Sequence, residues 1–188
     1  MMTCEFRKSS RTRGILGMPI PHGLPDAATQ GVESKMSSYY KDFTVLHESE
    51  PIERQEFIDA FAWEDEDGSP QPFNFNGICL PEDYFLHCAT YGLAELKIAG
   101  EEWVDVHSLC APEMAQSFRL DYDYFYPSAF LIAQTEKSMF HAYTRGDQGI
   151  GLYELNIGGL EPEGRYLAAS FTDLYIKGIG IEKLTEMR

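Results

Sequence analysis

Gly149-Ile-Gly-Leu-Tyr-Glu-Leu-Asn-Ile-Gly158, followed by Arg165-Tyr-Leu-Ala-Ala-Ser-Phe-Thr-Asp-Leu-Tyr175, carries the clearest structural signals in the chain. In the first stretch, Tyr153, Leu155 and Ile157 alternate with Glu154 and Asn156, the two-residue period of a half-buried strand. Gly149, Gly151, Gly158 and Gly159 punctuate its ends. The second stretch reads as a short strand running into a helix. Ser170 suits an N-cap, and Asp173 stands three residues on, where a carboxylate can reach back to free backbone donors. Phe171, Leu174 and Tyr175 then mark one helix face, and Gly178 closes the helix.

Working outward, a meander leads into this ending. Ala129 to Gln134 is a strand, Glu136-Lys137 a tight turn, Met139 to Thr144 a second strand and Gly146-Asp-Gln-Gly149 a second turn. Short connections of this kind argue for antiparallel pairing. Further upstream, Pro81 opens a helix, Glu82 and Asp83 load its first turn and Gly92 closes it. Tyr84, Phe85, Cys88 and Tyr91 form its apolar face. A strand from Leu93 to Ile98, a turn at Gly100 and a partner strand over Glu102–Val106 come next. An earlier helix is expected over 51–63, with Pro51 at its first position and Ile52, Phe57, Ile58 and Phe61 on its inner face. Pro112 opens a short helix over Glu113–Phe118; the following Leu120–Tyr126 is either a strand or a loop rich in Tyr and Asp.

The glycine-flanked Gly151-Leu-Tyr-Glu-Leu strand, the Tyr166–Leu174 segment and the upstream Leu80-Pro-Glu-Asp-Tyr84, with Tyr91-Gly92 closing its helix, occur in the order and spacing of the SUKH superfamily. The chain resembles that superfamily along roughly residues 40 to 180. Its members include a yeast regulator of cell-wall synthesis and many bacterial toxin-immunity proteins. The resemblance implies an α+β domain that binds proteins. In the immunity branch it implies binding and neutralising a polymorphic toxin, often a nuclease.

Composition bounds the remaining choices. A hydrophobic share of 44% places the chain among globular proteins, and 188 residues suffice for one domain with a proper core. The longest apolar run, Ala129 to Ala133, falls far short of the roughly 20 residues of a membrane span. The N-terminus lacks the apolar run of a secretory signal, so a cytoplasmic protein with reduced, mostly buried thiols at Cys4, Cys79, Cys88 and Cys110 is expected. Residues 1–38 hold five Lys/Arg and three acids, break on Pro19, Pro21 and Pro25, and read as a disordered or loosely attached arm. That arm is a basic patch, a plain tail or the result of a true start at Met36. Residues 39–188 form the domain and hold 10 basic against 27 acidic residues, which gives −17 of the chain's net −15. Such a surface repels nucleic acid and anionic lipid and attracts basic proteins, or serves solubility alone.

No catalytic constellation emerges. Only His107 and Cys110 have zinc-ligand spacing, and adjacent His87 and Cys88 diverge by about 100° on a helix. Cys88 or Cys110 would need His141 or His107 as a base to act as a nucleophile, but an inert buried thiol is the default on an apolar face. No metal, cofactor or enzymatic activity is expected. The expectation is one α+β domain with a twisted, mainly antiparallel sheet of about five or six strands, N-terminal helices packed on it and a helix at the C-terminus. The expected function is protein binding, with a basic toxin domain as partner, or a regulatory or scaffold role with a different cellular partner. The candidate contact residues are the carboxylate run Glu64, Asp65, Glu66 and Asp67, and the acid and aromatic group Asp121, Tyr122, Asp123 and Tyr124.

Overall fold

A computed structural model describes residues 39–100, 105–136, 138–156 and 163–186. The elements run β1 (Phe43–Glu48), α1 (Arg54–Ala60), β2 (Trp63–Glu64), β3 (Pro70–Gln71), α2 (Glu82–Tyr91), β4 (Ala94–Ile98), β5 (Val106–Leu109) and α3 (Pro112–Tyr122). They continue with β6 (Phe130–Thr135), β7 (Met139–Gly146), β8 (Gly149–Asn156), β9 (Glu163–Ala168), a π-helical turn (Thr172–Ile176) and α4 (Ile181–Thr185). The class is α+β as expected. The main sheet has seven strands in the order β1-β4-β5-β6-β7-β8-β9, and every neighbouring pair is antiparallel. The expectation of five or six falls short because β1 carries only six residues, and its Phe43 and Val45 give too brief an alternation to stand out. The arm over 1–38 lies outside the described residues.

The β6–β7–β8 meander forms, with Gly146 paired to Gly149 across the tight turn, while Lys137 of the expected β6–β7 turn and Ile157, Gly158 and Gly159 at the expected end of β8 lie outside the described residues. In β8, however, Gly151 through Leu155 are all buried, Glu154 included. The alternation predicts a half-buried strand, but β8 lies between β7 and β9 and both its faces are covered. Two neighbours on β7 show the two faces. His141 meets Tyr175 of the π-helical turn at 2.7 Å, whereas Phe140 lies against the rings of Phe118 and Tyr122 on α3 at 5.5 and 6.1 Å. Because successive strand residues point oppositely, the π-helical turn and α3 flank opposite faces. Phe171, whose ring is 5.1 Å from Tyr84 and also stacks on Tyr175, ties α2 to the π-helical turn. Phe57 of α1 joins the same aromatic cluster through Tyr84, Phe85 and Phe130.

Several boundaries differ from expectation for local reasons. The first helix begins at Arg54 because Glu53 and Glu56 cap each other's backbone, while the Ile52 amide is spent on the Cys88 carbonyl at 3.0 Å. It ends at Ala60, and 63–71 folds into the β2–β3 ribbon instead of continuing as helix and loop. The partner of β4 is Val106–Leu109, and 102–104 of the expected partner strand lie outside the described residues. The helix after Pro112 runs on to Tyr122, so neither a strand nor a loop occupies 120–122. Ala115, Phe118 and Tyr122 form its inner face, a helical spacing that the Tyr and Asp alternation obscures. Ser170 caps the Asp173 amide at 3.1 Å as expected, although the turn that follows is π-helical.

Gly92 ends α2 at φ +82°, and a Cβ there would lie 2.4 Å from the Ser49 carbonyl oxygen, so this junction admits only glycine. The sheet edges are guarded differently. On β9 the Lys183 ammonium donates to the Tyr166 and Leu167 carbonyls at 3.2 and 2.8 Å and sits over the Tyr166 ring. On β1 the register slips between Val45 and His47, a bulge of the kind that discourages edge pairing. Among the described residues no helix is long and apolar enough to cross a membrane.

Candidate functional site

The end of α3 carries three exposed large apolar side chains. Leu120 is 71% exposed, Tyr124 91% and Phe125 52%. Large apolar groups in this state invite a contact, especially when rimmed by charge. Asp121 lies exposed on the last turn of α3, and Asp123 caps the helix and pairs with Arg119 one turn earlier. The same guanidinium donates to the Pro127 carbonyl at 2.7 Å and the Tyr126 carbonyl at 3.4 Å. Arg119 thus satisfies carbonyls just beyond the helix end and complements its negative pole. Its effect is to hold the 123–127 segment in one shape, with Tyr124 edge-on to Phe125 at 5.4 Å. Tyr122 departs from expectation. Its ring is half-buried against Phe118 and Phe140, so it supports this surface from beneath and is not itself presented.

The acidic run divides in the same way. Glu64, Glu66 and Asp67 are exposed at the tip of the β2–β3 ribbon. Asp65 instead builds the turn, accepting from the Ser69 and Asp67 amides at 2.9 and 3.1 Å and from the Gln71 side chain at 2.9 Å. The Ser69 amide above all holds its carboxyl below the usual range. No hydrogen bond, ion pair or ring contact joins this ribbon to the end of α3 among the described residues.

Beside Phe125 lies a cleft of about 580 Å³ between the Phe125–Ser128 loop and the β7–β8 turn. Tyr126, Arg145, Asp147 and Tyr153 are among the residues that line it. The register explains the juxtaposition. Phe130 pairs with Tyr143, so Ser128 comes next to Arg145, whose amide donates to the Ser128 hydroxyl at 3.2 Å. Gly146 is needed here because a Cβ would lie 2.4 Å from the Tyr153 ring. The Tyr126 hydroxyl is buried with no hydrogen-bond partner among the described residues, and burial pushes its pKa up. Sequence reasoning missed this cleft. Counting back from the turn at 136 would have placed Ser128 beside the Gly146 turn, but nothing in residue type marks them as neighbours.

The groups weighed for catalysis lie deep in the core. Cys88 and Cys110 have no exposed surface, and burial pushes the Cys88 thiol up to about 12 and Cys110 higher still. A thiol in that state is a poor nucleophile at neutral pH. Cys79 is half-buried, and these three cysteines are free thiols. His141, Tyr175 and Glu154 form a buried polar line with Arg165: the Arg165 guanidinium reaches Glu154 at 3.2 Å, and the His141 Nε2 lies 3.7 Å from the same carboxylate. The His107 ring lies 5.1 Å from that of His141, tilted by 57°. His107, His141, Tyr175 and Glu154 are buried, whereas the Arg165 side chain is 33% exposed and also faces the Glu186 carboxylate at 3.6 Å. Among the described residues no set of three or more His, Cys, Asp or Glu side chains is placed to hold a metal ion. No family model, curated protein or solved structure matches the chain.

Proposed function

We propose that this chain is a non-catalytic protein-binding module acting in the cytoplasm, and that its partner is a basic protein. The narrower proposal is an immunity protein that binds and neutralises a polymorphic toxin, a nuclease domain fitting best, as the resemblance to the SUKH superfamily implies. The observation that carries the binding proposal is the end of α3. There Tyr124 stands 91% exposed near exposed Leu120 and Phe125, on a loop whose Tyr126 and Pro127 carbonyls accept from Arg119, flanked by carboxylates. Exposed aromatic groups supply contact energy at small entropic cost. The chain's net charge of −15 supplies the long-range attraction. A nuclease must carry a basic surface for its substrate, so an acidic binder can compete for it.

The test is affinity purification of the intact chain from its native cell, with Tyr124→Ala as a paired bait. A basic toxin domain retained by the native chain and lost with the variant supports the narrow proposal. A basic partner of another kind would make the chain a regulator or scaffold. An acidic partner, or one retained equally by both baits, counts against the surface itself.

A further inference from the structure

We propose that the groove on the sheet face beside the first turn of α3 receives one cationic side chain of the basic partner, paired with the Glu95 carboxylate. This rests on the reading of the chain as a binder of basic proteins and adds a second contact for that partner. The groove holds about 510 Å³. The strand register builds it. His47 of β1 pairs with Glu95 of β4, Glu95 with Ser108 of β5, and Ser108 with Gln134 of β6. Directly paired residues project from the same face, so four polar side chains from four adjacent strands form one row. All four line the groove. Gln134 pairs in turn with Phe140, which lies against Phe118 and Tyr122 of α3. The row therefore runs from the sheet edge to the helix, where Met114, 38% exposed, adds apolar surface.

Carboxylates set the charge of the groove. Glu95 and Glu136 are exposed and line it, and no Lys or Arg lines it among the described residues. The side chains of His47, Glu95, Ser108 and Gln134 make no hydrogen bond or ion pair with other described residues, so they are open to an incoming donor. A charge on an aliphatic stem suits this lining, with the stem on Met114 and the charge on Glu95. Lys97 shares the face two residues beyond Glu95, opposite Val106, and opposes the cation from outside the groove. Met114 and the exposed Leu120 lie about 9 Å apart along α3. One partner face of standard size therefore covers both the groove and the end of the helix.

The experiment titrates the full ¹⁵N-labelled chain with N-acetyl-arginine amide and with the uncharged citrulline analogue, at neutral pH and about 0.15 M salt. The backbone amides of Glu95 and Ser108 and the side-chain amide of Gln134 report on the groove. Saturable shifts with arginine are expected, with affinity about threefold or more above that for citrulline, the scale of one exposed ion pair. Glu95→Gln should bring arginine down to the citrulline level and leave the thermal midpoint unchanged, because the carboxylate is exposed and unpaired among the described residues. Lys97→Gln should strengthen binding. Asp121→Asn, on the last turn of α3, should leave the groove response unchanged, since screening confines a surface charge to about 8 Å.

Equal affinity for arginine and citrulline, undiminished arginine binding by Glu95→Gln, or an equal loss in Asp121→Asn would overturn the proposal. The last result would make the response a property of net charge and not of the groove. A decalysine peptide added to a fresh sample separates the two levels of inference. Shifts at Asp121 and Tyr124 with no arginine response in the groove refute the groove proposal alone. An arginine response in the groove, with decalysine silent at Asp121 and Tyr124, supports the groove and counts against the end of α3. Silence at both places refutes both.

Discussion

Acidification tests whether the fold holds His87 neutral. The ring is 3% exposed, with Nε2 2.6 Å from the Tyr40 hydroxyl and the rings of Tyr39, Tyr91 and Phe171 around it. Burial lowers its pKa from 6.5 to about 4, against the opposing charge of Asp83. Between those values the unfolded chain binds a proton that the folded chain refuses, so stability rises with pH across the window. The contribution is complete above about pH 6.5 and is lost as pH falls toward about 4. The difference is worth about 3 kcal/mol in full. Somewhat under half of this is gone at about pH 5.5 and most of it at about pH 4.5. His87→Gln removes the titration and keeps a polar group near Tyr40. Urea unfolding of both proteins, followed by tryptophan fluorescence at about pH 7.5 and about pH 4.5, isolates the effect. Asp65 and Glu82, whose carboxyls are held low, lose stability on acidification in both proteins and cancel in the comparison. The native chain should lose about 2 kcal/mol more than the variant. Equal losses, or a larger loss in His87→Gln, would refute the assignment of a buried neutral imidazole.

Gly92→Ala should cost about 2–3 kcal/mol or more in urea unfolding, because positive φ strain adds to a 2.4 Å approach to the Ser49 carbonyl. Lys183→Met should speed hydrogen exchange along β9 by exposing the carbonyls that the ammonium now covers, with a stability loss of about 1 kcal/mol. Cys88→Ala should cost on the order of 1 kcal/mol and leave partner binding unchanged, since the thiol is buried away from the surface. Stoichiometric metal in the native protein, lost in that variant, would contradict a purely structural thiol.

The architecture was most legible where residue type and turn chemistry agree. Gly146 and Gly149 bracket a two-residue turn, so the β7–β8 hairpin could be read off directly. Pro81, the acidic first turn and Gly92 did the same for α2. Long-range facts were hidden. Glu154 looks solvent-facing along the chain, yet β9 brings Arg165 to it and both faces of β8 close. The candidate site was half legible. Asp121, Asp123 and Tyr124 are presented, whereas Tyr122 faces the core because α3 continues through it. Asp65 is likewise spent on its own turn. The cleft escaped because its walls are separate segments joined only by the β6–β7 register.

The most direct test of the end of α3 as the contact surface is the association rate of a purified partner between about 0.05 and about 1 M salt, measured for the native chain, Asp121→Lys and Tyr124→Ala. Asp123 is left intact because it pairs with Arg119. The rate for the native chain should fall with salt as the screening length shrinks to about 3 Å near 1 M. Asp121→Lys should lower the rate further, and Tyr124→Ala should shorten the lifetime of the complex. An association rate indifferent to salt, with both substitutions silent, would contradict an acidic and aromatic docking surface at the end of α3.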